Sequence, residues 1–247
     1  MKPPPRGWNG RSNRMDASAR LERIGGRAAD EVTSGMIVGL GTGSTASAFV
    51  RALGERVADG LDMVGIPTSV ETADLARSVG IRLTNLEAVD RIDLCVDGAD
   101  EIDPALNVVK GRGGALLHEK LVARRADRYI IIASAEKLVD QLGTRLALPV
   151  EVIPVGWNHT ARELERLGLE PALRLHPSGD PERPYVTDGM HYILDCATHG
   201  IDDPAHLGIA IKQVTGVVDH GLFVGMADSA ITIDEAGTLQ THEPAGR

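Results

Sequence analysis

Aromatic residues make up only 3% of this 247-residue chain, which leaves few flat platforms on which nucleic-acid bases could stack. Positive charge is scarce too: 26 Lys and Arg stand against 35 Asp and Glu, a formal net charge of -9. That balance disfavours binding to a phosphate backbone, so no nucleic-acid partner is expected, and an anionic ligand must be met by local donors. Cysteine is limited to Cys95 and Cys196, far apart in sequence. Cys95 sits in an apolar run where a buried free thiol is the usual state, which fits a reducing cytoplasm. No apolar run approaches the ~20 residues that cross a bilayer, and no membrane partner is expected. The eight histidines show no metal-ligand spacing.

What is present is the make-up of an ordinary globular protein, 43% hydrophobic and 25% charged, long enough for one large domain or one domain with an insert. Met1 to Arg14 carries four basic groups and several prolines but no apolar stretch of a secretory signal. Residues 1–15 read as a disordered tail, and Met15 offers an alternative start. Beyond it, helix-like and strand-like patterns alternate. Helices are expected from Asp16 or Ser18 to about Thr33, over Ala46–Val57, Val70–Val79 and Gly114–Arg125. Strands are expected at Met36–Leu40, Leu61–Ile66, Ile81–Thr84, Arg91–Val96 and Tyr129–Ser134. Such alternation implies an α/β fold with a Rossmann-like parallel sheet covered on both faces.

After Gly143 the rhythm changes. Strand Leu148–Ile153, helix Thr160–Leu167, strands near Pro184–Thr187 and His191–Asp195, helix Pro204–Val214 and strand Gly216–Val224 follow the order of a ferredoxin-like α+β unit. The division predicted is a catalytic domain of residues 16–144 plus 225–247, with a smaller inserted domain at 145–224. Strands Ser229–Ile233 and Thr238–Thr241 are expected to return to the first sheet.

Two stretches carry chemistry. Gly39-Leu-Gly-Thr-Gly-Ser-Thr-Ala46 lies between a strand and a helix, where free amides and the helix dipole favour an anion, with Ser44 and Thr45 adding hydroxyls as they cap the helix. Gly41-x-Gly43-x-x-Ala46 also fits a dinucleotide fingerprint, but the second strand ends in Ile66-Pro67-Thr68-Ser69 without the acid that would hold a ribose. The lysine of a P-loop is missing as well. A turn with glycines for packing alone is the bland alternative.

The second stretch is Ile92-Asp-Leu-Cys-Val-Asp-Gly-Ala-Asp-Glu101, followed by Lys110-Gly-Arg-Gly-Gly114 and His118-Glu119-Lys120. Asp97, Asp100 and Glu101 end a strand, where open α/β sheets place their ligand crevice. Crowded carboxylates raise one another's proton affinity unless a cation intervenes, and Lys110 is the nearest one. Glu101 and Asp103 also read as plain loop caps, and His118 as an ordinary helix residue. A magnesium site is the other reading of clustered carboxylates, but no phosphoryl-transfer signature accompanies it. Glu119 alone would be a solvated helix glutamate. The glycine loop and Lys110 beside it make it a candidate base, to be poised by burial.

With these residues the chain resembles the type A ribose-5-phosphate isomerases. Gly41-Thr-Gly-Ser-Thr45, Val96-Asp-Gly-Ala-Asp-Glu101, Lys110-Gly-x-Gly113 with Glu119-Lys120, and Lys137-x-Val-Asp-x-Leu-Gly143 occur in the family's order. Leu148-Pro-Val-Glu-Val152 and Gly216-Val-Val-x-x-Gly-Leu-Phe223 extend the match. The resemblance implies interconversion of D-ribose 5-phosphate and D-ribulose 5-phosphate without metal or organic cofactor, in the pentose phosphate or carbon-fixation routes. It implies a cytoplasmic homodimer or homotetramer. Glu119 matches the general base; Asp97, Asp100 and Lys110 match groups for ring opening and oxyanion charge. Thr42, Gly43, Ser44 and Thr45, then Asp97, Gly98, Ala99 and Asp100, then Lys110, Gly111, Arg112 and Gly113, with Lys137, match substrate-binding segments. Arg112 departs from the glycine often found there. Competing readings are a sugar-phosphate deaminase or lactonase, and a non-catalytic sugar-phosphate sensor, which could dispense with Glu119.

Overall fold

The computed structural model describes residues 14–178, 180 and 183–244. Most of the expected tail lies outside them, but its last two residues are held: Met15 N donates to Glu235 O at 2.8 Å and Arg14 pairs with the Glu235 carboxylate. In chain order the first part contains α1 (Ala17–Ala29), β1 (Ile37–Leu40), α2 (Ser44–Ala58), β2 (Val64–Pro67), α3 (Val70–Ser78), β3 (Arg82–Leu83) and β4 (Leu94–Asp97). Next come β5 (Glu101–Ile102), β6 (Val108–Val109), α4 (Leu116–Ala123) and β7 (Tyr129–Ser134). The remainder is β8 (Leu148–Val152), α5 (Trp157–Glu165), β9 (Glu170–Leu173), β10 (Tyr192–Ala197), α6 (Pro204–Lys212), β11 (Val217–His220), β12 (Leu222–Phe223), β13 (Ser229–Ile233) and β14 (Leu239–His242).

The main sheet runs β14-β13-β7-β4-β1-β2-β3, parallel except for β14. Strand order reverses between β1 and β4, so a crevice opens beyond their carboxyl ends, where the glycine turn and Asp97 lie. Alternation along each strand sorts residues to two cores. Leu94, Val96, Ile130 and Ile132 join Phe49 and Leu53 of α2 on one face; Cys95, Tyr129 and Ile131 join Val122 of α4 on the other. Asp97 has the parity of Cys95, so the pleat turns it toward the face that α4 covers.

The second sheet, β11-β8-β10-β9, is antiparallel and has the ferredoxin-like strand-helix-strand-strand-helix-strand order. Its second strand is not near Pro184–Thr187 as expected. It is Glu170–Leu173, an edge strand that tolerates Pro171, while Leu175 and Pro184 share a single bridge. The expected strand Gly216–Val224 also breaks, at Gly221. Its N–H goes to Pro149 O and its carbonyl accepts from Lys110 N, so β12 leaves β11 and joins β6 and β5 in a small third sheet that sequence patterning missed. Strands of two residues carry too little periodicity to be read.

Helix starts follow their caps. Asp16 accepts from Ser18 N and Ser69 from Thr72 N. Helix α1 ends four residues before the expected Thr33, and α2 begins two before Ala46, so Ser44 and Thr45 occupy its first turn rather than cap it. The two glycines expected to weaken α1 differ. A Cβ on Gly25 would stand 2.6 Å from the Ala48 backbone, so Gly25 lets α1 and α2 pack closely; one on Gly26 would meet nothing within 4 Å. Opposite signs follow. Gly25→Ala should destabilise by about 1–3 kcal/mol through overpacking, whereas Gly26→Ala should stabilise by up to about 1 kcal/mol through helix propensity. Chemical denaturation of both variants checks the pair.

Candidate active site

The cleft beyond β1 and β4 encloses about 340 Å³. One wall is Thr42, Gly43, Ser44 and Thr45; the floor is Gly98, Ala99 and Asp100; the other wall is Lys110, Gly111, Arg112 and Gly113, with Lys137 at the end. Three segments thus meet, the first more than fifty residues before the other two, and they are the segments marked in the sequence. Asp97 and Glu119 do not line this space. They lie one layer beneath, 0% and 4% exposed, against Lys110.

Lys110 organises that layer. Its Nζ stands 3.1 Å from Asp97 Oδ2 and 3.2 Å from Glu119 Oε1, and donates to Gly98 O at 2.7 Å. Asp97 Oδ1 accepts from Gly98 N at 2.7 Å and Thr42 N at 3.1 Å, which ties the carboxylate to the glycine turn. Glu119 Oε2 is buried without a hydrogen-bond partner among the described residues. Burial first and the Asp97 charge second push the Glu119 carboxyl up to about 8, against the lowering effect of Lys110. Burial also raises Asp97, with Lys110 opposing. Lys110 is itself buried, which disfavours its charge, but the carboxylates of Asp97, Glu119 and Asp100 outweigh that and hold it protonated.

The remaining carboxylates are committed elsewhere, which tells against their gathering round one hard cation. Asp100 Oδ2 accepts from Arg112 N at 3.0 Å and so fixes the glycine loop. Glu101 accepts from the amides of Gly143, Arg145 and Leu146 at 2.5, 2.8 and 2.9 Å, and Asp103 from those of Ala105 and Asn107. His118 sits on α4 outside the cleft. At the glycine turn, Gly43 takes φ +98°, open to glycine, and α2 begins with no side-chain cap, leaving first-turn amides facing the cleft.

Sequence reading missed the support around these groups. Thr42 Oγ1 lies 2.7 Å from Thr68 Oγ1, 2.9 Å from Ser69 Oγ and 3.2 Å from Thr72 Oγ1, a hydroxyl cluster that pins the turn to the end of β2. Thr68 and Ser69 directly after β2, with Thr72 in the first turn of α3, are a visible run of hydroxyls in the sequence. From the arm that follows β9, Arg174 and Tyr185 reach the carbonyls of the loop after Lys110; no local pattern announces them.

A crevice at the switch point of a parallel sheet, lined by amides and hydroxyls over a buried acid–base cluster, defines an α/β protein built for proton transfer on a small anionic ligand. Comparison with known proteins gives the family. The model of ribose 5-phosphate isomerase A (phosphoriboisomerase A) matches residues 64–237. A ribose-5-phosphate isomerase A of Thermomicrobium roseum is 55% identical over 224 residues, 90% of this chain and 93% of its own. Among solved structures, the Plasmodium falciparum enzyme superposes with a TM-score of 0.87 at 38% identity, covering 92% of this chain and 99% of its own. A D-ribose-5-phosphate isomerase in complex with phospho-erythronic acid gives 0.89 at 37% identity, covering 93% and 100%. The chain belongs to the ribose 5-phosphate isomerase A family.

Two outcomes follow from the geometry. A carboxyl titration by NMR should find Glu119 changing charge near pH 8. Because the Asp97 charge raises that affinity, Asp97→Asn should move the midpoint to lower pH; an unmoved midpoint would mean the two do not interact. A Cβ at Gly41 collides with the Asp97 carboxylate, so Gly41→Ala should lose about 1–3 kcal/mol of stability in denaturant titration.

Proposed function

We propose that this layer performs the aldose-ketose shift between D-ribose 5-phosphate and D-ribulose 5-phosphate, with Glu119 as general base. The reaction moves a proton between C1 and C2 through an enediolate, so it needs a base for the carbon acid, donors for the developing oxyanion and a proton route between the oxygens. Glu119 supplies the first, Lys110 the positive charge, and Asp97 or Asp100 the route and the opening of the sugar ring. The observation that carries the reading is the buried Glu119 carboxylate, with one oxygen on Lys110 and the other without a hydrogen-bond partner among the described residues. As it lies behind Lys110, a side-chain movement must bring it to the substrate carbon.

The phosphate is assigned to the first-turn amides of α2 with Ser44 and Thr45, and the sugar to the segments Gly98–Asp100 and Lys110–Gly113, with Lys137 closing the end. The phosphorylated sugar acid in a related enzyme's structure supports a sugar phosphate here. These proton transfers call for neither metal nor organic cofactor. We also infer a Rossmann-like catalytic unit at 16–144 with 225–247 and an inserted unit at 145–224. A cytoplasmic setting is supported by two buried free thiols, and a homodimer or homotetramer by family membership alone. Among the described residues no helix is long and apolar enough to cross a membrane.

Incubation with ribose 5-phosphate should produce the ketose, and its absence would sink the reading. Glu119→Gln should lower kcat by about 100- to 10000-fold with KM nearly kept; full turnover in that variant removes Glu119 from the role.

A further inference from the structure

The glycine loop after Lys110 is held by its carbonyls. Arg174 Nη1 donates to Gly111 O at 2.9 Å and to Arg112 O at 3.0 Å, and the Tyr185 hydroxyl donates to Gly113 O at 3.2 Å. Three consecutive carbonyls are thus drawn toward side chains from the arm that follows β9. The guanidinium is only 14% exposed and is itself held by both oxygens of Asp195, Nε to Oδ2 at 2.8 Å and Nη2 to Oδ1. Its Cζ also lies 5.8 Å from the centre of the Tyr185 ring.

In a trans peptide the N–H points away from the carbonyl of the residue before it, and the described chain has no cis bond. Turning the Gly111 carbonyl to Arg174 therefore turns the Arg112 N–H the other way, where it meets Asp100 Oδ2 at 3.0 Å on the cleft floor. By the same geometry, turning the Arg112 carbonyl to Arg174 aims the Gly113 N–H at the cleft, across from Thr42, whose Cγ2 lies 3.6 Å from where a Gly113 Cβ would be. Gly111, at φ +104°, allows the reversal. A Cβ at Gly114 would strike the Tyr185 ring, so the contact is close on both sides.

We propose that Arg174, fixed by Asp195 and seconded by Tyr185, is a positioning residue. It orients the Arg112–Gly113 peptide so that its N–H serves as a backbone donor to the reacting oxygens, and it holds the loop that carries Lys110. The proposal rests on the isomerase reading. It ties turnover to the second sheet, none of whose side chains lines the cleft.

Steady-state isomerisation of ribose 5-phosphate tests it, and wild-type turnover in the same assay separates failure of the reading from failure of the inference. Arg174→Ala should lower kcat by about 10- to 100-fold, as misplacement of a reacting group does, with KM nearly unchanged. Arg174→Lys should not restore it, because one ammonium cannot span two carbonyls and a bidentate carboxylate. Millimolar guanidinium chloride should raise kcat of Arg174→Ala and leave the wild type unchanged, a response that lost stability alone would not give. Tyr185→Phe, which deletes one hydroxyl, should cost about two- to tenfold in kcat and serves if Arg174→Ala does not fold. Wild-type kcat in folded Arg174→Ala overturns the proposal. So does a loss that guanidinium does not restore, or, where only Tyr185→Phe folds, unchanged kcat in that variant.

Discussion

An ammonium buried between two carboxylates is the constraint on which the rest of the structure depends. Lys110, Asp97 and Glu119 are each under a twentieth exposed, and taking any of them out of water is unfavourable unless its partners stay in reach. Removing Lys110 would leave a buried carboxylate without its counter-charge and destabilise by about 3–5 kcal/mol. Every element that touches the cluster is correspondingly fixed. The Asp97 carboxylate is held by two amides, one of them in the glycine turn; Lys110 is held by the Gly98 carbonyl; and the Lys110 backbone pairs with Gly221. The strand end, the loop and the helix cannot move apart without stranding a charge.

Helix α4 shows how that order is enforced from outside. Glu119 and Lys120 are neighbours, so about 100° of helical rotation separates them, and they serve different faces. Glu119 meets Lys110, while Lys120 turns to β11, donating to Asp219 Oδ1 at 2.6 Å and His220 O at 2.5 Å. Both lysines approach the Phe223 ring, Lys110 Nζ 5.7 Å and Lys120 Nζ 4.9 Å from its centre. Burial brings Lys120 down to about 8, although Asp219 favours its charge, and burial with the Lys120 charge brings His220 down to about 3, leaving that imidazole neutral. A second charged pair therefore anchors the helix that carries the first.

The fold was legible where its signals are local. The cap at Asp16, strand-helix alternation and the glycine turn all act within a few residues, and the structure follows them, except that Ser44 and Thr45 enter the first turn of α2 instead of capping it. The three segments that line the cleft could be named because each holds its chemistry in a short run. What stayed hidden is long-range. Glu101 read as a member of an acidic cluster or a cap, yet its partners are amides more than forty residues away. Arg174 lies more than sixty residues from the loop it holds. Nor could the sequence reveal that Asp97 and Glu119 lie beneath the cleft: the pleat sets the face toward which Asp97 turns, but depth depends on tertiary packing that no local pattern announces.

That layering has a chemical use. Amides and hydroxyls line the cleft, where they can meet a ligand without holding charge away from water, and the groups proposed to move protons lie below, where burial tunes them. At its ordinary pKa a glutamate is fully ionised but too weak a base for a carbon acid, whereas raised to about 8 it is stronger and mostly protonated near neutrality. Both requirements cannot be met by burial alone. Lys110 opposes the combined push of burial and Asp97, and so keeps a usable fraction of Glu119 ionised. The ion pair is thus more than structural cement: if Glu119 is the base proposed, Lys110 tempers how far burial and Asp97 raise its proton affinity.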